Sequence, residues 1–432
     1  MQKSTKVNLA VIGLFHLGSV FSIGFSSLGY KVLGLDSNQK IISILKGGHI
    51  PLPEPLLDKL LQRNRGNISF STDFSKLSNI PVVFFTQDTE TDGSGSIERL
   101  EQMIDSSIPH FANEVTIVVV SQVPVGFHRK LFKKIKSERP NLKFSLYHWV
   151  DTIVMTTALE RFLKPERIIL GKYTSREIVN QDLKPILAKF HSPVFEMSYE
   201  SAEITKAAIN LYLATSVTFA NTLSDFCENF GGNIYEIIPA LKTDKRIGHF
   251  SYINPSLRIA GGHLERDLFM LKRIAGKKKI SSGVVEKIID ENEKRYLWVE
   301  KQIKNLLKFH TIKKITFWGL SYKTNSTSME NAPSVKLINK FLDRYSLSSY
   351  DPMAISPTKL LINRTKDKYT SLKNSDVLLL LTDWNEFKNL DFSKIFKLMR
   401  EKIIIDCIGY FNGIKQPEGF KIIRLGVSVD SS

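Results

Sequence analysis

Val7-Asn8-Leu9-Ala10-Val11-Ile12-Gly13-Leu14-Phe15-His16-Leu17-Gly18 is the stretch that decides the fold. Its first half reads as a buried strand, and Gly13 ends it. Residues 19–28 carry a helical pattern that stops at Gly29, and Tyr30-Lys31-Val32-Leu33-Gly34-Leu35 is a second strand closing on Asp36. A strand–helix–strand unit of this length places its two strands in parallel. Glycines at the strand–helix turn, with an acidic residue after the next strand, form the dinucleotide fingerprint in its proper context. Gly13 permits the tight turn. His16, Leu17 and Gly18 lead from the turn into the helix, whose N-terminus offers free N–H groups and a positive dipole end to a pyrophosphate. Asp36 suits a ribose 2′-OH, which points to NAD rather than NADP. Phe15 departs from the pattern, because it stands where a middle glycine normally lets the backbone approach the pyrophosphate. A βα turn with no ligand is the bland alternative.

Further buried strands follow at residues 82–85, 115–120 and 167–170, with helical stretches between them. Residues 201–230 are helical and strandless, and a second helical stretch covers 284–307. Residues 246–267, which carry Gly, Pro and Asn, read as a long loop, and long loops in compact folds are usually functional. The α/β rhythm returns with Ile315-Thr316-Phe317-Trp318-Gly319, a helix over 334–345, a strand ending at Asp351-Pro352, and strands at 377–381 and 403–405. The expected architecture is α/β: two Rossmann-like, doubly wound parallel-sheet domains joined by a helical connector. The expected divisions are residues 1–196, 197–308 and 309–432.

Composition narrows the function classes. Apolar residues make up 42% and charged residues 24% of the 432, a globular balance. No apolar run reaches the roughly 18–20 residues of a membrane span. The opening Met-Gln-Lys-Ser-Thr-Lys lacks a signal peptide's apolar region, so a cytoplasmic protein is expected. The formal charge of +17 suits an anionic ligand. Its lysines are scattered, and the clusters Lys277-Lys278-Lys279 and Lys313-Lys314 lack interleaved aromatics, so nucleic-acid binding is not expected. Cys227 and Cys407 are far apart in apolar surroundings and read as buried, inert thiols; no metal site is expected.

Several ordered stretches carry a family resemblance. They are Ile50-Pro51-Leu52-Pro53-Glu54-Pro55, Asp88-Thr89, Ser121-Gln122-Val123-Pro124-Val125-Gly126, the run from Phe162 to Gly171, Ala202-Glu203-Ile204-Thr205-Lys206-Ala207-Ala208-Ile209-Asn210, Arg246-Ile247-Gly248, Gly319-Leu320-Ser321-Tyr322-Lys323, Tyr350-Asp351-Pro352 and Thr382-Asp383-Trp384-Asn385-Glu386-Phe387. In order and spacing they resemble the UDP-glucose/GDP-mannose dehydrogenase family, whose members oxidise C6 of a nucleotide sugar twice with two NAD. The resemblance implies Thr89 and Gln122 on the cofactor side. It implies Asp151, Lys206, Asn210, Arg246 and Lys323 on a nucleotide sugar, UDP-linked first, with Lys206, Asn210 and Asp267 in the chemistry. It also implies a homodimer formed through the helical connector. The residues agree in part: Lys206 and Asn210 are four apart and share a helix face, so an ammonium and an amide can meet the same oxygens. Solvated charges remain the alternative for Arg246 and Lys323.

The chemistry departs from the family at defined points. The second oxidation needs a thiolate in G-G-x-C-x-x-K-D. Here the segment is Ala260-Gly261-Gly262-His263-Leu264-Glu265-Arg266-Asp267, so the cysteine position is His263, or Leu264 if anchored on the glycines. Met155 stands where the family carries an acid/base glutamate, Gln122 where it has threonine, and Glu330 where it has arginine. Asp267, with Lys206, remains as a base, and a neutral His263 can take protons. Three readings follow: an NAD-dependent oxidoreductase of nucleotide sugars, a non-catalytic nucleotide-binding homologue acting through partners, and a polyanion binder suggested by charge alone.

Overall fold

The computed structural model describes residues 8–88, 97–260, 263–355 and 362–428. The chain divides into two compact units, Met1–Ala208 and Ile209–Ser432.

The first unit runs β1 (Asn8–Ile12), α1 (His16–Ser27), β2 (Lys31–Leu35), α2 (Gln39–Lys46), α3 (Leu57–Arg63), β3 (Ile68–Ser71), β4 (Val82–Phe85), α4 (Glu98–Ser107), β5 (Val115–Val119), α5 (Phe127–Glu138), β6 (Phe144–Trp149), α6 (Ala158–Leu163), β7 (Ile168–Lys172), α7 (Lys184–Ala188), β8 (Val194–Ser198) and the start of α8 (Tyr199–Phe230). The strands form one sheet in the order β3-β2-β1-β4-β5-β6-β7-β8. Every pairing is parallel except β6 with β7. Side chains alternate across a strand, so β1 feeds both faces. Leu9 and Val11 pack with α1, α2 and α3, while Ala10 and Ile12 pack with α4 and α5. Burial on both faces is why this strand reads as a continuous apolar run.

The second unit continues α8 and adds α9 (Ile234–Thr243), α10 (His263–Lys278), α11 (Gly283–Arg295), α12 (Leu297–Leu306), β9 (Lys314–Trp318), α13 (Pro333–Phe341), β10 (Ser346–Tyr350), β11 (Asn363–Arg364), α14 (Lys368–Ser371), β12 (Val377–Leu380), α15 (Phe392–Leu398), β13 (Ile403–Asp406) and β14 (Lys421–Arg424). Its sheet is ordered β11-β10-β9-β12-β13-β14 and is parallel throughout. Ile315 and Phe317 of β9 pack against α12 and α13, and Trp318 packs on the opposite face with residues of α15. Two Rossmann-like sheets joined along the chain by a helical region are thus the architecture.

Some expectations need correction. The helix expected over 284–307 is two helices, interrupted at Tyr296. The loop expected over 246–267 ends earlier, because α10 begins at His263. Among the described residues, no helix is long and apolar enough to cross a membrane.

Candidate functional site

The turn after β1 is built for close approach. Gly13 has φ +88°, and a Cβ there would lie 2.7 Å from the backbone nitrogen of Gln87. A Cβ on Gly18 would lie 1.8 Å from the Gly13 carbonyl oxygen. Only glycine fits either position, so α1 starts tight against the strand end. The Thr86 hydroxyl, at the end of β4, donates to the Gly13 carbonyl at 2.9 Å. Asp36 is buried and fixes the turn from the next strand: Oδ2 accepts the Leu14 N–H at 2.7 Å and Oδ1 the Asn38 N–H at 2.8 Å. Each oxygen keeps a second lone pair for a ribose hydroxyl. Phe15 is 40% exposed, so its side chain is not spent on the core. These residues fit a dinucleotide. His16 and Leu17 supply the amides of the helix start, and both amides are bonded to Asp88.

Beside this turn lies a carboxylate from the stretch of residues 50–55, to which the sequence assigned no role in the site. Glu54 is buried and accepts the backbone N–H of Thr156 and of Ala158, each at 2.9 Å, while its Oε2 lies 3.1 Å from His16 Nε2. It therefore ties Thr156 and Ala158, just after Met155, to His16 of α1. Thr156 itself has φ +77°. A β-branched residue in that region stores on the order of 1–3 kcal/mol of strain, which the surrounding bonds must hold.

Lys206 Nζ donates to the Asp151 carbonyl at 2.7 Å and lies 3.9 Å from Asp151 Oδ2. Asp151 Oδ1 in turn accepts the Ile153 N–H. Three residues earlier on α8, Glu203 accepts the amides of Gly126 and His128, at 2.5 and 3.0 Å, and meets the His128 ring at 2.7 Å. This caps α5 just after the Gln122 loop, and Gln122 is half-buried there. Burial holds the His128 and His148 rings neutral, down to about 3, so the His128 contact is an Nδ1–H donated to a carboxylate.

In the second unit, the Asn210 amide donates to Asp267 Oδ2, and both residues are buried. Arg266 Nε lies 3.5 Å from the other Asp267 oxygen. Leu264, one of the two residues aligned with the missing cysteine, packs against the cluster of Ala214, Val217, Ile259, Leu268, Val285 and Ile288. Thr89 and the side chain of His263 lie outside the described residues. Arg246 is exposed and paired with Asp244 at 2.6 Å rather than held in a pocket. Cys227 and Cys407 are buried, and burial pushes both thiols up, which keeps them unreactive. Among the described residues, no cluster of His, Cys, Asp and Glu could hold a metal ion.

The end of β9 repeats the design of the end of β1. Gly319 has φ +91°, and Asp351 Oδ2 accepts the amides of Leu320 and Ser321 at 2.6 and 3.0 Å. Oδ1 accepts those of Met353 and Ala354. Burial pushes the Asp351 carboxyl up, but these amides outweigh it and hold it below the usual range. Lys323, half-buried, follows this turn at the sheet's switch point, where open α/β sheets bind ligands.

A dinucleotide turn on one sheet and an aspartate-organised switch point on the other define a nucleotide-binding protein of the double-Rossmann type. The chain belongs to the UDP-glucose/GDP-mannose dehydrogenase family, and NAD is its cofactor: the family's NAD binding domain matches residues 7–191, its central domain 200–294 and its UDP binding domain 316–413. UDP-glucose 6-dehydrogenase of Rickettsia conorii is 26% identical over 98% of this chain and 100% of its own. UDP-glucose 6-dehydrogenase YwqF of Bacillus subtilis is 27% identical over 93% of each. The structure of a UDP-glucose dehydrogenase from Pyrobaculum islandicum superposes with a TM-score of 0.86 at 23% identity, covering 99% of both chains.

Proposed function

We propose that the protein oxidises C6 of a UDP-sugar once, to the aldehyde, passing one hydride to NAD. NAD supplies the hydride acceptor. The chain supplies the rest: Lys206 places an ammonium beside the developing alkoxide, Asn210 orients Asp267, and Asp267 or His263 takes the hydroxyl proton. Asp151, Lys323 and Arg246 would hold the sugar nucleotide. The observation that supports this most is the survival of Lys206, Asn210 and Asp267, each hydrogen-bonded, where the thiol position is lost. Without a thiolate there is no thioester route to the acid. The test is NADH formation with UDP-, GDP- and TDP-sugars, compared with Lys206→Ala.

A second reading, a nucleotide-binding homologue without turnover, is favoured by the replacement of the glutamate by Met155 and by the Asp88 carboxylate on the α1 amides. NAD binding with no NADH from any of these sugars would select it. A homodimer is supported by aromatic residues left exposed on α8: Tyr212, Phe219 and Phe226 recur every seven residues, and Phe230 is 82% exposed.

A further inference from the structure

A helix start that receives a pyrophosphate normally leaves its first amides open to the ligand. Here they are taken by a carboxylate. Asp88 Oδ2 accepts the N–H of His16 at 3.0 Å and of Leu17 at 3.2 Å. Asp88 comes from the segment after β4, more than seventy residues along the chain, so it is no local cap. A carboxylate and a phosphate want the same donors and the same positive end of the helix, and they repel each other.

We propose that Asp88 is a built-in competitor for the cofactor's pyrophosphate, so that NAD enters only as the Asp88 carboxylate gives up the amides of His16 and Leu17. This rests on NAD being held at the α1 turn. The titratable neighbours are His16 from α1 and Asp151 from the segment after β6; Glu54 holds the His16 ring, and Lys206 holds Asp151. Burial pushes the Asp88 carboxyl up to about 6, with Asp151 adding repulsion and His16 and the two amides pulling it back. A phosphate arriving beside it raises it further, so NAD binding draws a proton from solvent onto Asp88. Affinity for NAD is then greatest below pH 6 and falls by up to about tenfold per pH unit above it.

The experiment is calorimetric titration of the full chain with NAD between pH 5.5 and 8, for the unaltered protein, Asp88→Asn and Asp88→Ser. Asparagine keeps an acceptor for the helix start and removes only the charge; serine is the second variant should the first fail to fold. The expected result is affinity for NAD that weakens at least about tenfold from pH 6 to 8 in the unaltered protein. The variants should bind at least about tenfold tighter at pH 8, with a flatter profile. Equal affinity and equal pH slope in all three proteins overturn the proposal and leave NAD binding intact. No binding heat in any of them removes the NAD site itself, and the proposal with it.

Discussion

Asp36 accepts the backbone N–H of Leu14 at 2.7 Å, tying the end of β2 to the turn that leaves β1. Asp351 does the same for Leu320 in the second sheet, at 2.6 Å. Asp36, the residue proposed for the ribose, is therefore also a structural brace. Asp36→Ala is expected to cost about 1–3 kcal/mol of stability, because a buried amide loses its acceptor. It should also weaken NAD binding by at least about tenfold, through the lost ribose bond. Asp351→Ala should cost at least as much stability and leave NAD affinity unchanged. Thermal melts and NAD titrations of both variants check this; equal NAD affinity in Asp36→Ala and the unaltered protein would remove Asp36 from the cofactor site.

Lys206→Ala and Asp267→Asn are expected to lower kcat/KM for the nucleotide sugar by about 100-fold or more, the usual range for a lost proton carrier or charge stabiliser. NAD affinity should stay within about threefold, since neither residue belongs to the α1 turn. Steady-state kinetics beside NAD titration separates the two effects. Turnover that survives both changes would rule out the roles given to these residues.

Stability should fall on acidification from neutral pH. His128 and His148 are held neutral in the fold, down to about 3, against an ordinary value of 6.5. Their contribution is complete above pH 6.5 and is lost as pH falls toward 3. Asp88 has the opposite sign: its raised carboxyl favours the fold below about pH 4 and loses that contribution as pH rises through 6. The two rings outweigh it. Melting temperature against pH should therefore drop between 7 and 4, and His148→Asn should flatten the slope. An unchanged slope in that variant would count against the buried neutral ring.

The exposed aromatics of α8 predict self-association. Phe226 is 58% exposed, and a charge there should split a dimer at micromolar concentration. Light scattering after size exclusion should give twice the chain mass for the unaltered protein and the single-chain mass for Phe226→Asp. A single-chain mass for both would discard the dimer.

What was legible in the sequence follows from burial. β1 and β9 are covered on both faces and read as apolar runs; Gly13 and Gly319 end them because their turns demand positive φ. The edge strands β3 and β8 carry exposed or polar positions, so no apolar run marks them. The break at Tyr296 has no glycine or proline to announce it. Of the candidate site, Lys206, Asn210 and Asp36 could be read because they sit at fixed spacings on one helix or one βαβ unit. Glu54 and Asp88 could not be read as site-builders. Their work is to accept amides 71 to 104 residues away, and such bonds leave no periodic trace.

The account stands or falls most directly on the amount of NADH formed when a limiting UDP-sugar is run to exhaustion with excess NAD. One NADH per sugar, with the aldehyde as product, is the predicted result. Two per sugar would show a route to the acid that needs no thiolate, and none from any nucleotide sugar would contradict the proposed oxidation outright.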